Sequence, residues 1–309
     1  MRGSTAIRAA ACTALAAGVA APLLRRRLRL PPPVVTATAA TAPFAICVLV
    51  PRTRARDVAV CALQMWAYLA TYQMPHDDPE ALERRVRVAY PVRVDRLLGF
   101  GTTPTLRLQR ALGMPGRFAP WEKLLVWSHW LWFAFPHGAA AYVLLTHPER
   151  FAAGAAQIYA TFDIGVIGYW AVPTAPPWYA AAEGLMEDGR TPELRRMMVE
   201  YGEQFWRSGW APLYGALGGN PLAAMPSLHF ATSVTAARVL AGTGRVAGVL
   251  GWAYALTLGV ALVYLGEHYV VDLAAGLALA EAIRRGAPAV APLAERLSAA
   301  MQALEARAR

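Results

Sequence analysis

Three ionisable residues, Glu267, His268 and Asp272, interrupt the apolar run LGVALVYLGEHYVVDLAAG at residues 258–276. Charge inside or at the lip of a hydrocarbon-length segment is costly and marks a candidate functional site. His268 and Asp272 stand four apart, so a helix places them one turn apart on one face. At that spacing a carboxylate fixes the tautomer of an imidazole and stabilises its charged form. A buried ion pair or a helix-end interaction would use the same spacing. A second string, Pro221-Leu222-Ala223-Ala224-Met225-Pro226-Ser227-Leu228-His229, follows a flexible entry at Gly215, Gly218, Gly219 and Asn220. Pro226 suits the first turn of a helix, Ser227 offers a hydroxyl beside free amides, and His229 falls in the opening turns. Free amides at a helix start form a ready phosphate site.

These residues need a scaffold, and composition indicates its kind. Of 309 residues, 56% are hydrophobic and 16% charged, with mean hydropathy +0.32; soluble domains carry about a quarter charged residues. Several apolar runs approach bilayer length, so the chain reads as an all-α polytopic membrane protein. Its ten Trp and twelve Tyr suit membrane interfaces. The net charge of +10 comes from 30 basic residues, of which only Lys123 is a lysine. In a membrane protein such an excess reports topology and lipid headgroups. Zinc-finger spacing, a basic helix with heptads and an aromatic RNA-binding signature are all missing, so no nucleic-acid partner is expected. Cys12, Cys47 and Cys61 lie in apolar runs and read as small buried hydrophobes rather than a disulfide framework.

Residues 1–56 read as N-terminal membrane helices or an interfacial extension. An apolar run at 7–24 is followed by Arg25, Arg26, Arg27 and Arg29, a triple proline at 31–33 ends it, and a second run covers 34–50. Asp57 is placed to cap the next helix, which reaches about Gln73. Residues 57–285 read as the main membrane domain, with interfacial segments at 74–120 and 173–225, and residues 286–309 as a cytoplasmic tail. The first interfacial segment is too charged to span and divides into amphipathic pieces. Residues 121–145 cross, carrying His129 and His137, and 151–172 return with Asp163 in their interior. An aspartate there needs a partner or a proton, which makes it a helix-packing contact or a wall of the cavity, with packing favoured. Pro173-Thr174-Ala175-Pro176-Pro177-Trp178-Tyr179 cannot continue a helix. It reads as a rigid lip in which Pro176, Pro177, Trp178 and Tyr179 meet substrate. Thr191 and Pro192 begin a further helix, and crossings follow at about 228–240, 246–265 and 269–283.

From His229 the chain crosses once and returns once before His268, so both histidines share a face. Arg245, Arg284 and Arg285 mark the opposite ends, which the positive-inside rule places in the cytoplasm, with the histidines outside. The best count is eight crossings, with seven or six as alternatives. Arg25 to Arg29 then fall on the outer side, against the rule.

Pro226-Ser227-Leu228-His229 followed by His268 and Asp272 resembles the type 2 phosphatidic acid phosphatase (PAP2) superfamily, with its Pro-Ser-x-His and later His-x-x-x-Asp. Asn220 to Phe230, Glu267 to Gly276 and the lip at Thr174 to Tyr179 are similar to the inositol phosphorylceramide synthase branch and its bacterial relatives. The resemblance covers roughly residues 58–283. It implies a PAP2-like six-helix transmembrane core, here with N-terminal extra helices, and a phosphohistidine mechanism. His268 would be the nucleophile, Asp272 its orienting carboxylate and His229 the acid that protonates the leaving oxygen. Ser227 and nearby amides would hold phosphoryl oxygens. The superfamily's Ser-Arg before the nucleophile is replaced by Ala261 and Leu262, and its early Lys-x-x-x-x-x-x-Arg-Pro is missing. Arg207 is the candidate replacement phosphate clamp, with Lys123 or an arginine of residues 84–96 as substitutes, although Arg207 also fits an ordinary interfacial arginine.

No metal or other cofactor is expected, although two histidines and an aspartate form a zinc set in other settings. The expected activity is phosphoryl transfer from a membrane lipid at the outer face of a bacterial plasma membrane, with water or a polar alcohol as acceptor. Lipid or polyprenyl phosphate hydrolysis is the main expectation, inositol-phosphate transfer the alternative, and a transporter or flippase the reading from another class. The catalytic residues leave the acceptor, the lipid and the oligomeric state open.

Overall fold

The computed structural model describes residues 2–114, 116–186, 194–217 and 220–309. The helix start expected at Thr191 and Pro192, and Gly218 and Gly219 of the flexible entry, lie outside the described residues. The fold is an all-α bundle. Helix α1 (Arg2–Leu28) ends with Arg25, Arg26 and Arg27 in its last turn, where cations complement the helix dipole. Helices α2 (Pro32–Ala39) and α3 (Ala42–Leu49) together form a return of bilayer length. Helix α4 (Arg54–Gln73) is capped by Thr53, whose hydroxyl oxygen accepts from the Arg56 N–H at 3.2 Å. The expected cap, Asp57, sits one turn in, where its charge still suits the N-terminus.

A 3-10 turn at Met74–Asp77 leads into three short helices, α5 (Pro79–Glu83), α6 (Ala89–Leu98) and α7 (Pro104–Leu112). The crossing expected at 121–145 is two helices, α8 (Pro120–Leu131) and α9 (Phe135–Thr146). Pro136 has no N–H to return to the carbonyl of Trp132, so the ladder breaks there. Glu122, fully buried, ties the start of α8 to the rest: it accepts from the Ala119 N–H at 2.7 Å and from the Tyr264 hydroxyl at 2.7 Å. Helix α10 (Pro148–Ala171) follows, then α11 (Pro177–Ala182), α12 (Met197–Trp206) and α13 (Trp210–Leu217). Helices α14 (Leu228–Ala241), α15 (Arg245–Tyr264) and α16 (Val270–Ala308) complete the bundle.

Among the described residues four helices are long and apolar enough to cross a bilayer, Gly3–Leu28, Pro32–Leu49, Pro148–Ala171 and Arg245–Tyr264, and the chain is a multi-pass membrane protein. Helix α14 stands at the centre, packed by α9, α10, α15 and α16. Its buried Ala231, Ser233, Ala236 and Ala237 let neighbouring backbones approach closely. Its hydroxyls pair across the bundle: the indole N–H of Trp132 donates to Thr232 at 2.9 Å, and Thr235 lies 3.1 Å from the hydroxyl of Thr161.

The region expected as a tail is a continuous helical extension of α16 that runs through Pro288 and Pro292 to Ala308. It docks on the N-terminal helices. Glu305 pairs with Arg56 at 3.2 Å and Arg52 at 3.4 Å, Ser4 donates to the Ala308 carbonyl at 2.7 Å, and Ala308 packs with Ala11, Ala45 and Val48. The lip is pinned between two other segments. Thr174 donates to the Leu222 carbonyl at 3.0 Å and accepts from the Ala224 N–H at 3.0 Å, and Ala175 donates to the Arg87 carbonyl at 3.1 Å. Only its first half is extended, because Pro177 starts α11 and makes Trp178 and Tyr179 helical.

Candidate active site

Two helix starts meet at the site. After α15, Gly266 turns the chain at φ 77°, a conformation that glycine adopts without a Cβ clash. The amides of Glu267 and His268 then both donate to the Leu262 carbonyl at 3.0 Å. The first turn of α16 is held from outside by Asp95 of α6, which is fully buried. Its two carboxylate oxygens accept from the Val270 and Val271 N–H groups at 2.9 and 3.0 Å. Burial pushes the Asp95 carboxyl above its ordinary range, and the two amides pull against that shift. Within the turn, Asp272 Oδ2 accepts from the Tyr269 N–H at 2.9 Å and lies 3.3 Å from His268 Nδ1.

The second start, that of α14, is stitched to the first by the Ser227 N–H, which donates to the Asp272 carbonyl at 3.0 Å. Gly276 makes that approach possible, since a Cβ there would lie 2.5 Å from the Ser227 carbonyl oxygen. Ser227 is the cap of α14, so the helix begins at Leu228, two residues after the start expected at Pro226. The result is a chain of contacts, with His229 Nδ1 3.1 Å from His268 Nε2 and His268 Nδ1 facing Asp272. With Asp272 ionised, His268 Nδ1 carries the proton and Nε2 keeps its lone pair, to which His229 Nδ1–H can donate. His268 is 3% exposed and Asp272 fully buried, so the pair is fixed by packing as well as by hydrogen bonds.

His229 is held between two rings, Trp132 at a centroid distance of 4.0 Å and His129 at 4.9 Å. His129 is buried, and its Nδ1 has no partner among the described residues. Both catalytic candidates open onto a cavity of about 650 Å³ with a predominantly aromatic wall, to which Tyr68, Tyr72, Trp127, Trp130, Trp178 and Trp210 contribute. Leu69 and Phe133 also line it while remaining 42% and 41% exposed, so apolar side chains connect the cavity to the outside of the bundle.

Glu267 lines the same cavity, and burial pushes its carboxyl up to about 7, against the pull of Arg196 and His268. Arg196 stacks on Trp178 at 4.0 Å from the ring centroid and donates through Nη2 to the Tyr214 hydroxyl at 3.1 Å, and its Nε is buried without a partner among the described residues. Trp178 and Tyr214 are both cavity residues, so this guanidinium stands at the cavity's edge beside Glu267.

Of the residues expected at the site, the structure thus gathers His229, His268, Asp272, Glu267, Pro176 and Trp178. Others are elsewhere. Pro177 is buried, and Tyr179 packs on Leu82, Ala175 and Leu222. The Ser227 hydroxyl is fully buried and accepts from the Phe230 N–H at 3.3 Å, so it serves as a helix cap. Arg207 is exposed at a helix end with φ 51°, and exposed Lys123 lies 6.0 Å from the Tyr201 ring; neither contributes to the cavity wall. Asp163 accepts a hydrogen bond from Gln64 between α10 and α4, a packing contact. Sequence reasoning passed over Asp95, His129 and Arg196. Only His129 carried a local signal, as a histidine inside an apolar crossing.

A family model described as the PAP2 superfamily matches residues 92–284. Over 129 residues the chain is 34% identical to a Bacteroides thetaiotaomicron protein named phosphoinositol dihydroceramide synthase, a match covering 38% of this chain and 39% of that relative. No solved structure matches.

Proposed function

The chain belongs to the PAP2 superfamily, and from that premise we propose that it transfers a phosphorylated polyol headgroup from a phospholipid to a lipid alcohol through a phosphohistidine at His268. The observation that carries this is the alignment of His229 Nδ1, His268 Nε2 and Asp272 at 3.1 and 3.3 Å against the aromatic cavity. In the first half-reaction the His268 Nε2 lone pair attacks phosphorus, an N–P bond forms and the bond to the lipid oxygen breaks. His229 delivers its proton to that departing oxygen, and Asp272 supports the cationic imidazole through Nδ1–H. In the second, neutral His229 takes the proton of the acceptor hydroxyl as its oxygen attacks phosphorus and frees His268. Entry of phosphate requires the 3.1 Å contact between the histidines to open, with the phosphoryl group taking its place.

Arg196 is the phosphate or headgroup clamp in this scheme, in place of Arg207 or Lys123. A guanidinium stacked on Trp178 with a buried unpaired Nε is pre-organised to bind an oxyanion. Glu267 and Asn220, on the same cavity wall, offer acceptors and a donor to polyol hydroxyls. Transfer is favoured over hydrolysis by the name of the matched relative, by the room in the cavity, and by Ala261 and Leu262 at the superfamily's Ser-Arg positions. Lipid phosphate hydrolysis, with water as acceptor, is the second activity that the same residues support.

The crossings number eight in this proposal, with the histidines on the outer side of a bacterial plasma membrane. Arg52, Arg56, Arg245, Arg284 and Arg285 mark the cytoplasmic ends. The deciding experiment supplies the purified protein with inositol phospholipids, phosphatidate and isoprenyl phosphates, with and without ceramide or diacylglycerol, and identifies both products. A new phosphodiester lipid is the expected outcome. Release of inorganic phosphate alone would replace transfer by hydrolysis, and lipid or ion movement without bond cleavage would replace enzyme by transporter.

A further inference from the structure

A second cavity, of about 340 Å³, lies between α1 and α4, and the reaction uses none of its polar groups. Pro22, Leu23, Arg25 and Arg26 form one wall, and Trp66, Leu69, Ala70 and Gln73 the other. Leu69 and Gln73 also line the histidines' cavity, so the two spaces share a partition.

Its electrostatics are lopsided. Arg25 and Arg26 converge on a single carboxylate, that of Asp77, with Arg25 Nε at 2.7 Å and Arg26 Nε at 2.6 Å. Burial alone would raise the Asp77 carboxyl, but the two arginines outweigh it and hold it below its ordinary value. It therefore stays ionised near neutral pH, and two guanidiniums against one carboxylate leave an excess positive charge. Trp66 adds a donor without an acceptor, since its indole N–H is buried and has no partner among the described residues. An unpaired buried N–H is costly, so an acceptor in the cavity would be favoured. The arginines also stand at the wrong end. The salt bridges to Asp77, just beyond Gln73, place the cluster at the histidine-bearing end of the bundle, the outer side in the proposed topology.

We propose that this cavity binds the phosphodiester of a resident anionic phospholipid, with Arg25 and Arg26 pairing the phosphate, Trp66 donating to a phosphate or ester oxygen, and Leu23 and Leu69 meeting the acyl chains. The site is separate from the catalytic one and does not depend on which transfer reaction the histidines perform. It gives the misplaced arginines a role, since lipid phosphates would neutralise them where they are.

The test is native mass spectrometry of the full-length protein with phosphatidylglycerol, and in a parallel arm with inorganic phosphate. Wild-type protein should retain phosphatidylglycerol through detergent exchange. Arg26→Gln should weaken retention about tenfold by loss of a charge-assisted bond, and Trp66→Phe about fivefold by loss of a neutral one. Asp77→Asn should strengthen it, because the competing carboxylate is gone. A purely structural Arg–Asp clamp gives the opposite sign for Asp77→Asn, whose retention and melting temperature would then fall together with those of Arg26→Gln; that result overturns the proposal. Equal retention by all four proteins would assign the bound lipid to the catalytic cavity and also overturn it, as would displacement of the lipid by an equal concentration of inorganic phosphate.

Discussion

Asp95 offers the sharpest test of how the fold sets the chemistry, because it touches neither the cavity nor either histidine. Replacing it with alanine removes both acceptors of the Val270 and Val271 N–H groups, 2.9 and 3.0 Å away in a fully buried position. Each bond to an ionised acceptor contributes about 1.5–3 kcal/mol, and relief of the carboxylate's own desolvation offsets part of the loss. The net cost is about 2–3 kcal/mol, slightly above the range for a lost helix cap. For a chain of this size that lowers the melting temperature by about 5 °C, measurable by thermal shift in detergent. The larger effect is on turnover. His268 and Asp272 flank this first turn, and a displacement near 1 Å costs about 100-fold in rate. The expected signature is a large fall in kcat with little change in KM, partly restored in Asp95→Asn, whose amide oxygen recovers one acceptor. An Asp95→Ala protein with unchanged melting temperature and kcat would refute the positioning role.

Ser227→Ala should cost about 1 kcal/mol as a lost cap while retaining most turnover; abolished activity in a protein of near-native stability would restore the hydroxyl as a phosphate ligand. His268→Ala and His229→Ala should fold but lose turnover, and acid-labile phosphoprotein should disappear in the first; retained phosphodiester formation by His268→Ala would remove the nucleophile assignment. Gly276→Ala forces its Cβ to within 2.5 Å of the Ser227 carbonyl, so a loss of about 1–3 kcal/mol together with reduced kcat is expected from denaturant titration and steady-state rates. Because Glu267 is raised from 4.5 to about 7, the folded protein keeps that proton while the unfolded chain releases it. Its contribution therefore favours folding below pH 4.5 and declines by up to about 3 kcal/mol as pH rises to about 7. Glu267→Gln should flatten that part of the stability profile.

The candidate trio of His229, His268 and Asp272 was legible because its information is local. A histidine and a carboxylate four apart in an apolar run, and a second histidine behind a proline-serine pair, survive without knowledge of the neighbours. Asp95 was not legible, because it sits among arginines in an interfacial helix and its partners lie 175 and 176 positions away. Arg196 was hidden by the abundance of arginine; what distinguishes it is a tertiary stack on Trp178, not a spacing. Ser227 was ambiguous for the converse reason. A serine beside free amides serves equally as a cap or a phosphate ligand, and here the Phe230 N–H occupies its oxygen. Helix α16 outran its expected end because prolines at 288 and 292 bend or weaken the ladder while packing against α1 and α3 retains the helix.

The docking of α16 on the N-terminal helices has a consequence for how the chain is assembled. Ser4 and Ala308 are 304 positions apart, and Arg56 and Glu305 are 249 apart, yet each pair is in direct contact. During synthesis α1 and α3 enter the bilayer long before residues 301–308 exist, so for most of translation the guanidinium of Arg56 lacks its carboxylate. The buried patch of Ala11, Ala45 and Val48 is likewise uncovered until then. Insertion and closure are thus separate events in time, and closure joins residues of very high sequence separation. A ribosome pause, a fusion or a truncation near residue 300 would leave every crossing in place while the two ends of the sequence remained unjoined.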